Sequence, residues 1–322
     1  MNANASELPK SLATKRYPGM SDSTASSTSD ESAVPEVAVI MRSKNEQPYA
    51  EHALRALSNQ TYSRFTLYNV DSGSTDGTLE LVRRHNLAPD RIFQIPPEDY
   101  VPGVVLNSMV EKTTEPVIVF LNADAIPLDE TWLERLIAPI LNGRADATMS
   151  RQVARKTAAF INQYDYERAY SSRNVTRNHE FFSAAACAFR RELWEETKFY
   201  TDGYAEDLAW SCACQAKGAR FELVHDSAVE HSHDFTLSQL YRKRYRHGIA
   251  FVYIYGTRPS VIRQSLACAK EIVRDFLYAV RKLRIDTIPY NIVYRLVIHV
   301  AYYRGEREGQ RRNRREKQEV SH

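Results

Sequence analysis

With 322 residues, 43% of them apolar, the chain is large enough for one sizeable α/β core with appendages or for two small domains. The net charge of +3 hides an acidic front and a basic end, since Tyr241 to His322 holds 19 Lys/Arg against 7 Asp/Glu. No apolar run reaches about 18 residues, no signal peptide is read, and Cys187, Cys212, Cys214 and Cys268 lack zinc, redox or disulfide spacing; a spanning helix and a cysteine-held metal are excluded and a reducing cytoplasm is expected.

Residues 1–34 hold eight Ser and three Thr among few large apolar side chains. Such a segment cannot bury enough surface to offset its ordering entropy, which predicts a disordered leader. Order is expected from Pro35. Val37–Met41 is a continuous apolar run, as for a strand covered on both faces. A helix is predicted from Pro48 to about Ser58, a strand over Phe65–Val70 and a helix over Thr75–His85. Leu106–Lys112 reads as helix, Val117–Leu121 as buried strand and Glu130–Leu141 as helix. The alternation predicts an α/β fold, a mostly parallel central sheet with helices on both faces. Beyond Leu141 the pattern loosens. Phe181–Phe189, Phe221–Val224 and Ala228–Glu230 read as short strands, Glu206–Lys217 as a helix stopped by Gly218, and Leu237–Gly248 as a basic helix. Pro259 to about Arg304 is helical and amphipathic, with a break near Pro289. The expected organisation is a leader over 1–34, an α/β domain over 35–250, and a basic helical extension with a charged tail over 251–322.

Three acidic signatures stand in order: Asp71 in the run Val70–Gly77, Asp124 in Asn122-Ala123-Asp124, and Glu206-Asp207. The first two directly follow predicted strands, and carboxylates at strand ends of an α/β sheet converge on one crevice. Each has a plain structural explanation. Ser, Gly and Thr around Asp71 make a tight turn into a helix, Asn and Asp favour an Asx turn before Ile126-Pro127, and acids suit a helix N-terminus. Each also suits chemistry. A carboxylate just past a strand can accept from the imide N–H of uracil or thymine. One Asp with phosphate oxygens and water is adequate for Mg2+. An acid on the acceptor side can take a proton.

Val70-Asp71-Ser72-Gly73-Ser74-Thr75-Asp76-Gly77 resembles the V-D-D-G-S-T-D-G turn of family-2 glycosyltransferases, with Ser72 replacing the second Asp. Arg42-Ser43-Lys44-Asn45-Glu46 stands where many members have P-T-Y-N-E. Arg42 in place of the Pro is similar to the rhamnosyltransferase-like branch of bacterial surface-polysaccharide assembly, as is the segment Phe181–Trp194. Gly103 and Asn107 resemble the G-x-x-x-N segment, and Asn122-Ala123-Asp124 the N-x-D that follows the strand V-I-V-F-L. The resemblance covers about residues 36–250. It implies a GT-A fold and inverting, metal-dependent transfer from a UDP- or dTDP-linked sugar to a hydroxyl of a saccharide or lipid-linked saccharide acceptor. It implies that Arg42, Ser43, Glu46, Asp71, Gly103, Asn107, Asn122 and Asp124 contact the nucleotide sugar, and that Asp124 holds Mn2+ or Mg2+. Asp207 is then the base, with Glu206 and Trp210 on the acceptor side.

His231 and His233, two apart, point to opposite faces if the segment is extended, so one of them is expected at the site. Relatives carry a His here that completes the metal's ligands or touches diphosphate; His231 is the expected one and His233 the reserve. Gln239-Leu240-Tyr241-Arg242 resembles the Q-x-x-R-W of processive synthases without its Trp, which argues against that class. Arg242 and Arg246 are candidates for diphosphate or for a solvated helix face.

Two other readings stay open. A sugar nucleotidyltransferase shares such a sheet, but Arg42–Glu46 lacks the Gly-rich loop that binds triphosphate. A non-catalytic membrane-surface protein would rest on the basic end. No G-x-G-x-x-G follows a strand and no nucleic-acid motif occurs, so neither a dinucleotide nor a nucleic-acid partner is expected. The basic amphipathic helix from Arg263 to Arg284 either lies on an anionic membrane, as a peripheral contact on the inner face, or packs against the domain or a second subunit.

Overall fold

The computed structural model describes residues 36–85, 87–171, 182–201 and 203–319. The leader over 1–34, Pro35 and Phe181 lie outside the described residues. One eight-stranded sheet is formed by β1 (Val37–Ser43), β2 (Phe65–Asp71), β3 (Ile92–Gln94), β4 (Val117–Asn122), β5 (Ile126–Pro127), β6 (Ala147–Val153), β7 (Ala186–Arg190) and β8 (Phe221–Glu230), in the order β3-β2-β1-β4-β7-β6-β8-β5. β3, β2, β1 and β4 run parallel, as do β6 and β8; β7 is antiparallel to both its neighbours and β5 to β8. The sheet is thus mixed and mostly parallel.

The apolar runs explain the middle of the sheet. Along β1, Ala38 and Ile40 face one layer while Val37, Val39 and Met41 face the other, all wholly buried. One layer is built by α1 (Tyr49–Ser58), α2 (Thr78–Arg84) and α4 (Trp132–Leu141). The other is built by α3 (Pro102–Glu111), α6 (Arg191–Glu196) and α7 (Glu206–Ala216). A strand covered on both sides can be apolar at every position. The two strands expected at Phe221–Val224 and Ala228–Glu230 are one strand, β8, whose pairing with β6 shifts register between Ser150 and Arg151. The bulge breaks the apolar pattern and not the ladder.

Four further α-helices stand among the described residues: α5 (Phe160–Ala169), α8 (Leu237–Tyr255), α9 (Val261–Arg281) and α10 (Ile288–Glu319). α8 runs on past Gly248, where sequence alone ends it, because Gly248 is a contact point. A Cβ there would lie 2.6 Å from the Tyr302 carbonyl oxygen, and one on Gly305 2.2 Å from that of Tyr245. The backbones of α8 and α10 touch through these glycines. Arg295 of α10, almost wholly buried, ties α10 to two other helices. Its Nε donates to Asp275 Oδ2 of α9 (2.6 Å) and its Nη2 to Asp165 Oδ1 of α5 (2.6 Å).

Candidate active site

β1 is where the sheet's winding reverses, with β2 on one side and β4 on the other, so a crevice opens beyond the C-terminal ends of these strands. Two of the predicted motifs wall this crevice by holding each other. Asn45, at φ +54°, accepts from Thr75 N through its side-chain oxygen (2.7 Å), and its own N–H donates to Ser74 Oγ (2.9 Å). Glu46 N donates to Thr78 Oγ1 (3.0 Å) and Gln47 N to Asp76 Oδ2 (3.0 Å). Asp71 is wholly buried inside this wall. Its Oδ1 accepts from Gly73 N (3.0 Å) and Ser74 N (2.7 Å), its Oδ2 from Ser43 Oγ (2.9 Å) and Ser74 Oγ (2.5 Å). Four donors occupy the carboxylate, and Asp71 and Ser43 shape the wall together.

Asp124 is different. It lies just past β4, is 2% exposed, and sits beside both histidines: His231 Nε2 is 3.4 Å from its Oδ1 and His233 Nε2 3.7 Å from its Oδ2. One ligand atom from each of the three residues falls within 4.8 Å of the others. The expectation that only one histidine would face the site fails because β8 ends at Glu230. Residues 231–236 are not extended strand, so strand alternation does not apply. His231 Nδ1 meets Gln152 Oε1 at 2.8 Å, an oxygen that only accepts, so the ring proton is assigned to Nδ1. The Nε2 of His231 faces the Asp124 carboxylate. Buried, it has no hydrogen-bond partner among the described residues.

Charge around Asp124 is correspondingly unusual. Burial alone pushes its carboxyl up, but His231, His233 and Arg155 outweigh it and hold the group at about 2. Burial lowers His233 to about 4 against the pull of Asp124. Burial and the Asp124 charge push Glu46 up to about 8. Two carboxyls that repel, beside two imidazoles of which one has an unpartnered ring nitrogen, suit a divalent cation. The donor set fits one: a carboxylate and two imidazoles. Arg155, which no sequence pattern singled out, closes this cluster from below. Its Nη2 donates to the Asp124 carbonyl oxygen (2.5 Å), its Nη1 to the Ser232 carbonyl oxygen, and its guanidinium lies 3.7 Å from the Tyr49 ring centroid.

The Glu206-Asp207 pair opens α7 across the cleft, after Ala205 in a left-handed turn at φ +67°. Asp207 Oδ2 accepts from Ala184 N (3.1 Å) and is half-buried. Burial first, then the Asp207 charge, push Glu206 up to about 7, while Arg42 pulls it back. Arg42 bridges the two halves: its Nη2 donates to Asn122 Oδ1 (2.7 Å) and to the Ala184 carbonyl oxygen (3.0 Å). Arg42 and Asn122 therefore meet in the cleft, as a pair. Lys243 of α8 also faces it. Burial and Arg244 lower its ammonium to about 8, and the charges of Asp207 and Asp124 oppose that shift.

Three expected site residues lie elsewhere. Gly103 is buried at the start of α3, and a Cβ there would sit 1.9 Å from the Tyr200 carbonyl oxygen, so close packing requires the glycine. Asn107 clamps the same segment: its Nδ2 donates to the Phe199 carbonyl oxygen (3.0 Å), and its Oδ1 accepts from Phe199 N (3.0 Å) and Trp194 Nε1 (2.9 Å). Trp210 is a core residue, 1% exposed, stacked on Phe199 with its indole N–H donated to the Thr197 carbonyl oxygen (2.7 Å). Gly103 and Trp210 are buried and Asn107 is half-buried, and the contacts of all three are with the segment from Trp194 to Tyr200. Arg242 and Arg246 project toward α10, while Lys243 between them takes the cleft-facing place.

Residues 38–197 match the family model "Glycosyl transferase family 2". The O-antigen chain rhamnosyltransferase RfbN of Salmonella typhimurium is 26% identical over 238 residues, 70% of this chain and 70% of that one. Glycosyltransferase AglE of Haloferax volcanii is 26% identical over 261 residues, 76% of this chain and 83% of the other. The mannosyltransferase PcManGT from Pyrobaculum calidifontis, solved with GDP-Man and Mn2+, shares the fold at TM-score 0.58 and 20% identity, over 83% of this chain and 87% of that one. Glucosyl-3-phosphoglycerate synthase from Mycobacterium tuberculosis, solved with Mn2+, UDP and phosphoglyceric acid, does so at TM-score 0.53 and 18% identity, over 69% and 79%.

Proposed function

The chain belongs to glycosyl transferase family 2, and from that premise we propose that it is an inverting transferase moving a sugar from a UDP- or dTDP-linked donor to a hydroxyl of a saccharide or lipid-linked saccharide, in polysaccharide biosynthesis. The observation that carries the reading is the orphaned Nε2 of His231 facing Asp124. Asp124, His231 and His233 would hold a divalent cation, whose charge offsets that developing on the leaving diphosphate when it is bound. Two imidazoles favour Mn2+ over Mg2+, which prefers oxygen ligands.

The chain's own groups supply the rest. Asp207 takes the proton of the acceptor hydroxyl as its oxygen bonds to the anomeric carbon and the bond to diphosphate breaks on the opposite face. Glu206, raised by burial, keeps its proton near neutrality and spares the base a second negative neighbour. Lys243 adds positive charge on the diphosphate side. The wall of Ser43, Asp71 and Ser74 takes the nucleoside, with Arg42 and Asn122 positioning the donor sugar between the halves. The α9 helix, with Ile262 and Leu266 strongly exposed and with Lys270 and Arg281 exposed on the same helix, suits peripheral contact with an anionic membrane. No helix among the described residues is long and apolar enough to cross one.

A release assay tests this: nucleoside diphosphate freed from UDP-, dTDP- and GDP-sugars with Mn2+ or Mg2+ and lipid-linked acceptors. No release from any donor would end the enzyme reading. Asp207→Asn should lower transfer by about 1,000-fold while leaving donor binding, measured by titration, unchanged. Lost donor binding would overturn the role given to Asp207.

A further inference from the structure

A second concavity, about 830 Å3 in volume, lies between α8 and α10, outside the cleft. Its walls carry six arginines, Arg242 and Arg246 from α8 and Arg304, Arg307, Arg311 and Arg312 from α10, against one carboxylate, Glu308. Glu308 is already taken by Arg311 (2.8 Å) and Arg312 (2.9 Å), and Arg304 donates to Tyr241 OH (3.3 Å). Arg242, Arg246 and Arg307 make no ion pair among the described residues. A crowd of like charges repels itself unless an anion joins it. Every cation here is an arginine, whose planar fork matches phosphate oxygens two at a time.

The groove also has a direction. The guanidinium of Arg246 lies 5.9 Å from the ring centroid of Tyr204, which stands just before Glu206 and Asp207. The arginines therefore begin beside the loop that leads into the acid pair. We propose that this groove binds a diphosphate carried by the acceptor, so that the acceptor is a saccharide joined to a diphosphate and not a free sugar. Arg242 and Arg246, one turn apart on α8, and Arg307 on the opposite wall clasp two neighbouring phosphates from both sides. The inference rests on Asp207 marking the acceptor side of the transferase proposed above.

Inorganic pyrophosphate is the direct probe, titrated calorimetrically with chelator present and Asp124→Ala as the background, so that the donor site does not contribute. Binding is expected, weakened at least about tenfold in Arg242→Ala/Arg307→Ala, with the circular dichroism unchanged. Equal affinity in both proteins overturns the proposal. With otherwise wild-type protein, the same pair should raise KM for a diphosphate-linked saccharide about tenfold and leave the donor KM alone. Flotation with vesicles rich in phosphatidylglycerol separates the sources: a pair that loses vesicle binding while keeping pyrophosphate affinity makes the groove a membrane-surface patch and sinks the idea. The pyrophosphate titration needs no turnover, so its failure is distinct from failure of the transferase reading.

Discussion

Asp71 and Asp124 both leave parallel strands of one sheet, and both are nearly inaccessible to solvent. They differ in what surrounds them. Asp71 is met by four donors from its own loop and from Ser43. Asp124 is met only by long contacts, two imidazoles at 3.4 and 3.7 Å and the Arg155 guanidinium at 3.5 Å, and by an acid, Glu46, that it repels. A buried carboxylate whose lone pairs are filled is building a turn. One left among incomplete partners is waiting for a ligand, because proteins rarely leave buried polar atoms unpaired.

Substitutions probe this contrast. The largest effect is expected at Asp124→Asn: transfer should fall by at least about 1,000-fold and Mn2+ titration should lose its saturable site. Retained Mn2+ affinity would place the cation elsewhere. At Asp71→Asn the damage should be to the fold: about 2 kcal/mol of stability lost by chemical denaturation, since an amide cannot accept from all four donors. Activity per folded molecule should drop by less than about tenfold. A hundredfold loss with unchanged stability would mean that Asp71 touches the nucleobase directly, and the contrast would collapse.

Glu206 gives a third, pH-dependent measure. Its folded pKa, about 7, lies above its ordinary value of 4.5, so the folded state binds that proton more tightly. The stability this confers is full below about pH 4.5 and is lost as pH rises through about 7. Glu206→Gln cannot lose it, so its stability relative to wild type should rise by about 2–3 kcal/mol between pH 4.5 and 8. A difference that stays flat with pH would show that burial does not strain the acid. The smallest effect is expected at Tyr294→Phe. Tyr294 OH donates to Asn162 Oδ1 (3.0 Å), and Asn162 Nδ2 donates to the His233 carbonyl oxygen (3.2 Å). Removing the hydroxyl loosens His233, and Mn2+ affinity should fall about fivefold, read by the metal's paramagnetic signal. Unchanged affinity would remove α10 from the site's support.

Much of the donor half was legible because its physics is local. Val37–Met41 and Val117–Leu121 are buried on both faces, so their apolar runs announce strands. The turn at Asp71 is written in Gly, Ser and Thr. β6 escaped because its buried polar residues hide the pattern: Thr148 donates to the Leu136 carbonyl oxygen (2.7 Å) and Ser150 Oγ accepts from Trp132 Nε1 (2.8 Å), partners on α4 that only the fold brings to the strand. Arg155 left no trace for the same reason, since a single arginine has no period. Gly103, Asn107 and Trp210 were given ligand roles by resemblance, yet their contacts are with Tyr200, Phe199 and Thr197, which no motif contains.

The meeting of Gly248 with Gly305 sets what can be exchanged between relatives. Where two backbones touch, neither helix can be replaced alone: even an alanine on one requires the other to withdraw. Lys243 and the wall of the arginine groove ride on the first helix, and Tyr294 and Arg295 on the second. A chimera that swaps the C-terminal segment must therefore begin before Leu237, carrying part of the cleft with it, and a graft begun at α9 would inherit a new surface at the expense of the old seam.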